Sequence, residues 1–381
     1  MEKASINPFQ LFALMVLFEL GSAIVITIGI EAEQDAWISI LLALAAGVAV
    51  FMVYSYLYKQ FPGHSLIDFS QKIIGKYPGW VLGLLYMLYF LYIAMRVLRD
   101  FGDLLLTSTM PETPLFVINF FMVMTIIYVL YLGIEVLART GEFFLLLLLL
   151  LGILANMLIL FSGIIDVNNL LPVLGNGWKP VFQAAFPLVL NFPFGEIIVF
   201  TMLFPYLNQG SKIPKTGILA LVFSGLLITI TTSMNIAVLG MEIVSRTTFP
   251  LLTAVGKIRV ADFLERLDAF VVVTLVIGMF FKIAIFTYAS ILGVTKLFNV
   301  NTHRKLVFPL GLILLLGSVA IAGNFSDHLE EGLDVVPYYL HMPFQIYIPF
   351  VLLLITIVRK KFSSGDIVGN NDAQSKTQRY Q

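Results

Sequence analysis

Long apolar runs separated by short polar connections dominate the chain. Ten of them reach the roughly 20 residues that a helix needs to cross the hydrocarbon core of a bilayer. The pattern predicts spans over residues 8–30, 36–59, 79–106, 115–132, 143–164, 181–207, 216–241, 269–298, 306–324 and 339–358. Two connections, 61–78 and 242–268, are long enough to hold short helices. The second contains ADFLERLD, whose mixed charges predict a solvated surface helix. From Ser363 onward the chain is polar and rich in small residues, a composition that buries too little to fold. The expected organisation is one membrane domain over 1–362 and a disordered cytoplasmic tail over 363–381. The first span is longer than a signal-peptide core and no small-residue cleavage site precedes the next, so it is expected to be a retained helix.

Composition agrees with the pattern. Of 381 residues 59% are hydrophobic and 12% charged, against roughly 25% charged in soluble domains. Net charge is +0, which gives no basis for a nucleic-acid partner; lipid is the expected surroundings. With no cysteine, disulfides, thiolate nucleophiles and Cys-ligated metals are excluded. The distribution of positive charge carries the orientation. With the N-terminus in the cytoplasm, fifteen of the 23 Lys and Arg fall on the cytoplasmic side, five fall outside (Lys179, Arg246, Lys257, Arg259, Arg266), and Arg96, Arg99 and Lys282 lie within spans. Both termini are therefore expected in the cytoplasm.

Two spans are interrupted where a continuous helix would be cheapest. NFPFGE, residues 191–196, puts Asn191, Pro193, Gly195 and Glu196 in the middle of span six. Proline removes a backbone donor and clashes with the preceding turn, and glycine weakens the helix further. Backbone groups freed at this depth must be met by protein or by a watery cavity. Span one carries Glu19, Gly21 and Ser22 near its middle, where a small-residue cluster also fits simple helix packing. Spans one and six hold matching positions in two five-helix halves, and an interrupted pair so placed points to a midplane solute site in an inverted-repeat transporter fold.

Charge within the spans adds candidates. At 100° per residue, Tyr86, Tyr89, Tyr92, Arg96, Arg99, Asp100 and Asp103 share an arc of about 140° on span three. Arg96 with Asp100 and Arg99 with Asp103 stand four apart, so pairing within the helix accounts for all four charges. Tyr92 and Arg96, the deeper members, are candidates for lining a site or gate. Lys282, midway along span eight, needs a buried partner, and Glu19 and Glu196 are the candidates. Thr287 carries less weight, because a threonine in a membrane helix usually bonds its own backbone. The four histidines, scattered outside the spans or at their ends, are expected to be solvated or interfacial. No metalloprotease, phosphate-loop, hydrolase-elbow or dinucleotide motif occurs, so neither a metal nor a cofactor is expected and an enzyme is disfavoured.

Several stretches together resemble the B-subunit permeases of bacterial spore germinant receptors, a branch of the amino acid-polyamine-organocation superfamily. They are SINPFQLFAL with LFELGSA, the FPGHSLIDFSQKIIGKYPGW connection with the tyrosine-rich helix after it, PETPLFVI, GIEVLAR, LLPVLGNGWKP leading into FPFGE, and LFPYLN. The likeness runs over about residues 5–362. It implies an all-α integral membrane protein of ten transmembrane helices, arranged as two inverted five-helix repeats (about 8–164 and 181–358) with helices one and six interrupted. It further implies a small nutrient, typically an amino acid, held between the unwound parts of those helices. An A-type membrane subunit and a C-type lipoprotein in the inner membrane of the dormant spore would be its partners. Carried over, Gly21, Ser22 and Ala23 would offer backbone groups to the ligand, Phe192, Phe194 and Gly195 would lie beside its side chain, and GIEVLAR would be a structural or signalling loop. Glu196 would be either a ligand contact or a structural partner. The function implied is a nutrient sensor that triggers germination; the alternative is a proton-coupled amino-acid permease.

Overall fold

The computed structural model describes residues 4–24, 26–257 and 268–361. ADFLERLD, apart from Asp268, and the tail from Ser363 lie outside the described residues. The described chain is helical almost throughout, and its one bridge between extended segments joins Ile6 to Leu207.

Spans two to five are Ala36–Gln60, Lys76–Ser108, Leu115–Leu132 and Ile134–Ser162; spans seven and eight are Ile213–Leu239 and Asp268–Leu297; span ten is Pro337–Lys361. Span six runs from Trp178 to Met202 through several helical geometries. Spans one and nine are the short ones. Span one is α-helical only over Pro8–Ala23, about 24 Å at 1.5 Å per residue, and the rest of the crossing is made by irregular chain and a tight 3-10 turn, Ile30–Asp35. Span nine, Arg304–Ala320, is followed by Phe325–Val335 at a bend of 109°.

Local chemistry sets the ends. Asn7 and Gln10 exchange side-chain bonds to each other's backbone N–H (2.8 and 2.9 Å) with Pro8 in the first turn, a capping box that starts span one. Ser65 and Asp68 do the same for a short helix that the 61–78 connection holds, Leu66–Ile74. The 242–268 connection likewise holds Met241–Arg246 and Pro250–Gly256. GIEVLAR is not a loop. Spans four and five meet at Gly133 alone, whose φ of 104° suits glycine, and helix resumes at Ile134.

Packing separates an inner from an outer set of helices. Over an apolar 18-residue stretch of span six 78% of residues are buried, against 17% for span five, whose Leu146, Leu150 and Ile153 face outward. The interrupted backbone of span six thus lies in a helix enclosed by protein, as a bilayer requires. On the face that carries the N-terminus, Ile6 N–H donates to the Tyr206 carbonyl (2.9 Å) and Asn208 N–H to that of Ile6 (3.0 Å), which ties the start of span one to the chain just past span six.

Candidate functional site

Span one breaks later than the sequence suggested. Gly21, Ser22 and Ala23 are still helical, and regular structure is absent at Ile24 and over 26–29, where Gly29 turns the chain at φ 75°. Gly21 serves a close crossing instead. A Cβ there would stand 3.0 Å from the Gly278 carbonyl and 3.1 Å from the Lys282 side chain, and one on Gly278 would stand 2.9 Å from Gly21 Cα. The Ser22 hydroxyl is buried and has no hydrogen-bond partner among the described residues.

Span six departs from α-geometry where NFPFGE foretold. Trp178–Ala184 gives way to a π-turn at Ala185–Val189 with Phe186 extended (φ −130°, ψ 122°), and after Pro193 the chain resumes as a 3-10 helix, Phe194–Met202. Asn191 donates from Nδ2 to the Pro337 carbonyl (3.1 Å), which fixes span six to span ten. Phe194 packs its ring against Gly47 of span two, and Gly195 lies under the Gln345 carboxamide, which a Cβ would overlap.

The interruption sets Glu196 against Lys282. Nζ lies 2.5 Å from Oε2, with the side chains 0% and 2% exposed. They meet as an ion pair without the angular alignment of a hydrogen bond. The rings of Phe192 and Phe18 flank the ammonium at 4.5 and 5.1 Å. Glu19 is also fully buried, and among the described residues neither of its oxygens has a hydrogen-bond partner. Thr287 does not bond its own helix; its hydroxyl too is buried without a partner among the described residues.

On span three the intrahelical pairing holds for one couple only. Arg99 Nε meets Asp103 Oδ2 at 2.6 Å. Arg96 turns away from Asp100 to Glu331 (3.2 Å) and to the His328 carbonyl, while Tyr92 donates to Glu331 (2.9 Å) and accepts from Arg96 (3.3 Å). Asp100 takes His328 instead, at 2.8 Å. The segment after span nine is thereby fastened across span three.

Between these groups lies a cavity of about 90 Å³. Its walls are the broken part of span one (Ile26–Ile28, Ile30 and Glu31), Ile93, Arg96, Val97 and Asp100 of span three, Leu188, Phe192 and Glu196 of span six, His328, Leu329, Gly332, Leu333 and Val336 after span nine, and His341 of span ten. Of the sequence candidates, Arg96, Phe192 and Glu196 line it. Tyr92 stands behind Arg96 and Lys282 behind Glu196, each one contact away. Gly21, Ser22, Ala23, Asn191, Phe194, Gly195, Glu19 and Thr287 are not on its wall.

The sequence reading passed over Thr27, Glu31, His328 and His341. The histidine expectation needs correcting: His303, His328 and His341 are buried, at 7%, 1% and 5% exposed. His341 Nδ1 sits 2.7 Å from Tyr89 Oη and 3.0 Å from Gln345 Nε2. Both neighbours have protons to give, so the ring accepts at Nδ1 and carries its own proton on Nε2. The overlooked signal was proline. Pro337 and Pro343 stand in a span ten whose first half, Pro337–Tyr347, is π-helical, a geometry that recurs at functional sites.

Two interrupted helices enclosed by eight others, meeting at a buried charge beside a small cavity, define the architecture of solute transporters built from inverted repeats. The solved structure of MhsT in complex with L-phenylalanine superposes with a TM-score of 0.67 over 94% of this chain and 99% of that one, at 11% identity. The structure of Mhp1, a nucleobase-cation-symport-1 family transporter with bromovinylhydantoin bound, gives 0.62 over 87% and 76%, at 15% identity. Ten transmembrane helices in two inverted five-helix repeats, with helices one and six interrupted, are therefore the fold. Within it the chain belongs to the spore germination protein family, whose pattern matches residues 5–326. It is 43% identical over 361 residues to spore germination protein KB of Bacillus subtilis (strain 168), covering 95% of this chain and 97% of that one. Spore germination proteins YndE and A2 of the same organism are 26% and 23% identical over 86% and 87% of this chain, and 89% and 88% of theirs.

Proposed function

We propose that this protein is the nutrient-sensing subunit of a spore germinant receptor, taking a small nutrient, an amino acid foremost, into the midplane cavity between spans one, three, six and ten. The observation that carries this reading is the charge around that cavity. Arg96 stands on the span-three wall together with Asp100, and the carboxylates of Glu196 and Glu31 stand on the walls made by spans six and one, an arrangement that suits a carboxylate at one end of a ligand and an ammonium at the other. A cavity of about 90 Å³ favours a small side chain. That MhsT holds L-phenylalanine on the same fold adds support.

In this reading the repeats divide at about 8–164 and 181–358, both termini face the cytoplasm, and the protein resides in the spore inner membrane. An A-type membrane subunit and a C-type lipoprotein read its conformation. Bound nutrient shifts the bundle between two states only in so far as it binds one of them better. The cavity is closed by groups that a ligand would re-pair: Arg96 from Glu331, and Asp100 from His328.

The test is deletion of the gene in its host, with dipicolinate release measured from purified spores given amino acids, sugars and nucleosides. Loss of the response to particular amino acids, restored by the gene, is the expected outcome; an unchanged response to every nutrient after paralogous receptors are also removed overturns the reading. A proton-coupled amino-acid permease is the second reading, favoured by the buried Lys282–Glu196 pair. Net uptake into proteoliposomes supports the permease, and binding without uptake the sensor.

A further inference from the structure

The core contains more acid than base. Glu19, Glu196 and Lys282 are 0%, 2% and 0% exposed, yet together they supply two carboxyl groups and one ammonium. Lys282 and Glu196 neutralise each other at 2.5 Å. Glu19 sits between Phe18, whose ring flanks the Lys282 ammonium at 5.1 Å, and Gly21, which crosses span eight against the Lys282 side chain, and among the described residues its two oxygens have no hydrogen-bond partner. Among the described residues, spans five and seven, which also pack on span one, bring no charge near Glu19. Span seven has only Lys215, near its start, and the charges of span five (Glu135, Arg139 and Glu142) lie in its first three turns, where Glu142 meets Gln10 at 3.4 Å, nine residues before Glu19. An ionised carboxylate with neither solvent nor partner is prohibitively costly at this depth, so it takes up a proton instead.

We propose that Glu19 is a proton-binding site: it carries a proton while Lys282 pairs with Glu196, and releases it to water when Glu196 is neutralised by something other than Lys282. Electroneutrality fixes the exchange. With Lys282 on Glu196, the cluster is neutral only with Glu19 as the acid. Once another cation pairs with Glu196, Lys282 is left for Glu19, and the cluster stays neutral only if the Glu19 O–H bond breaks, its electron pair remaining on the carboxylate and its proton passing to water. Glu196 lies on the cavity wall and Glu19 does not, so the group that meets the ligand and the group that holds the proton are different residues joined through Lys282. Where the second cation is the ammonium of a bound nutrient, the idea rests on the function proposed above. The test therefore uses no ligand, and its failure is distinct from a failure of nutrient binding.

Infrared spectra of the purified protein at neutral pH, in H₂O and D₂O, report protonated carboxyl groups through their C=O stretch. The wild type minus Glu19→Gln difference should show one acid band that shifts in D₂O. Glutamine keeps the shape and charge of the protonated acid, so this variant folds. Glu196→Gln supplies the neutralisation without a ligand and should also abolish the band, because Lys282 moves to an ionised Glu19. Lys282→Met should show two acid bands. A wild type without the band, a band that survives Glu19→Gln, or one that persists unchanged in Glu196→Gln overturns the assignment.

Discussion

At the level of Glu196 the core divides into two halves made of different material. Toward the face opposite the N-terminus it is polar and hollow, with Arg96, Asp100, His328 and His341 around the cavity. Toward the N-terminal face it is aromatic and filled. Phe18 meets Phe200 and Phe286 with ring centres 5.3 and 5.0 Å apart, Phe204 meets Tyr58 and Phe51 at 5.4 and 6.3 Å, and the bridge between Ile6 and Leu207 closes the end. The same two interrupted spans thus open on one side and seal on the other. A solute in this conformation reaches Glu196 from the polar side alone. To pass onward it would have to part several aromatic pairs, each worth about 0.5–1.5 kcal/mol beyond the area it buries. That asymmetry suits a receptor that closes around its ligand, and it is also one state of a carrier.

The largest effect should come from the boundary itself. Lys282→Met leaves two buried carboxyl groups with no cation, and removing one member of a buried pair costs about 3–5 kcal/mol. Thermal unfolding in detergent at neutral pH should show a loss of that order. The loss should shrink as the pH is lowered, since protons then neutralise what Lys282 no longer does. A variant as stable as wild type at neutral pH would mean that the two halves are not divided by a charge at all.

How far the sequence foretold this division depends on the type of interaction. The spans were legible because a bilayer admits few alternatives to long apolar helices, and NFPFGE was legible because proline, glycine and glutamate each oppose a buried helix. The break in span one was displaced, because Gly21 answers to its neighbour Gly278 on span eight, a contact between residues far apart in the chain. Arg96 and Asp100 show the same limit. Spacing on one helix allowed their pairing, and Glu331 and His328, brought in by the bend after span nine, took both. Local patterns located the interruptions; the partners came from tertiary packing.

Arg96 tests the polar half. Arg96→Met keeps most of the side chain's bulk and removes the guanidinium from the cavity wall. A hydrogen bond to a charged group is worth about 1.5–3 kcal/mol. Binding of an amino acid that the wild type recognises should weaken about 10- to 100-fold by equilibrium dialysis, with a smaller change in melting temperature. Unchanged affinity would remove Arg96 from the ligand's surroundings and leave it as a fastener for Glu331.

The smallest effect belongs to the sealed half, at its rim. Asp68, on the surface helix Leu66–Ile74, is paired with Lys296 at the end of span eight and accepts from Ser65 N–H and Oγ, both at 2.9 Å. Burial alone would raise its carboxyl, but Lys296 and the Ser65 bonds outweigh that and hold it below the usual carboxylate range. A carboxylate depressed in the folded state stabilises the protein fully above its unfolded value of about 4 and loses that contribution as the pH falls through the lower folded value. Asp68→Asn should therefore cost about 1 kcal/mol at pH 7, the upper end for a partly exposed pair, and close to nothing in strong acid. Melting curves of the two proteins should converge as the pH drops. If they stay parallel, the surface helix is held by the packing of Ile67 and Gln71 on Gly83 and Gly79, and the ion pair contributes nothing to the seal.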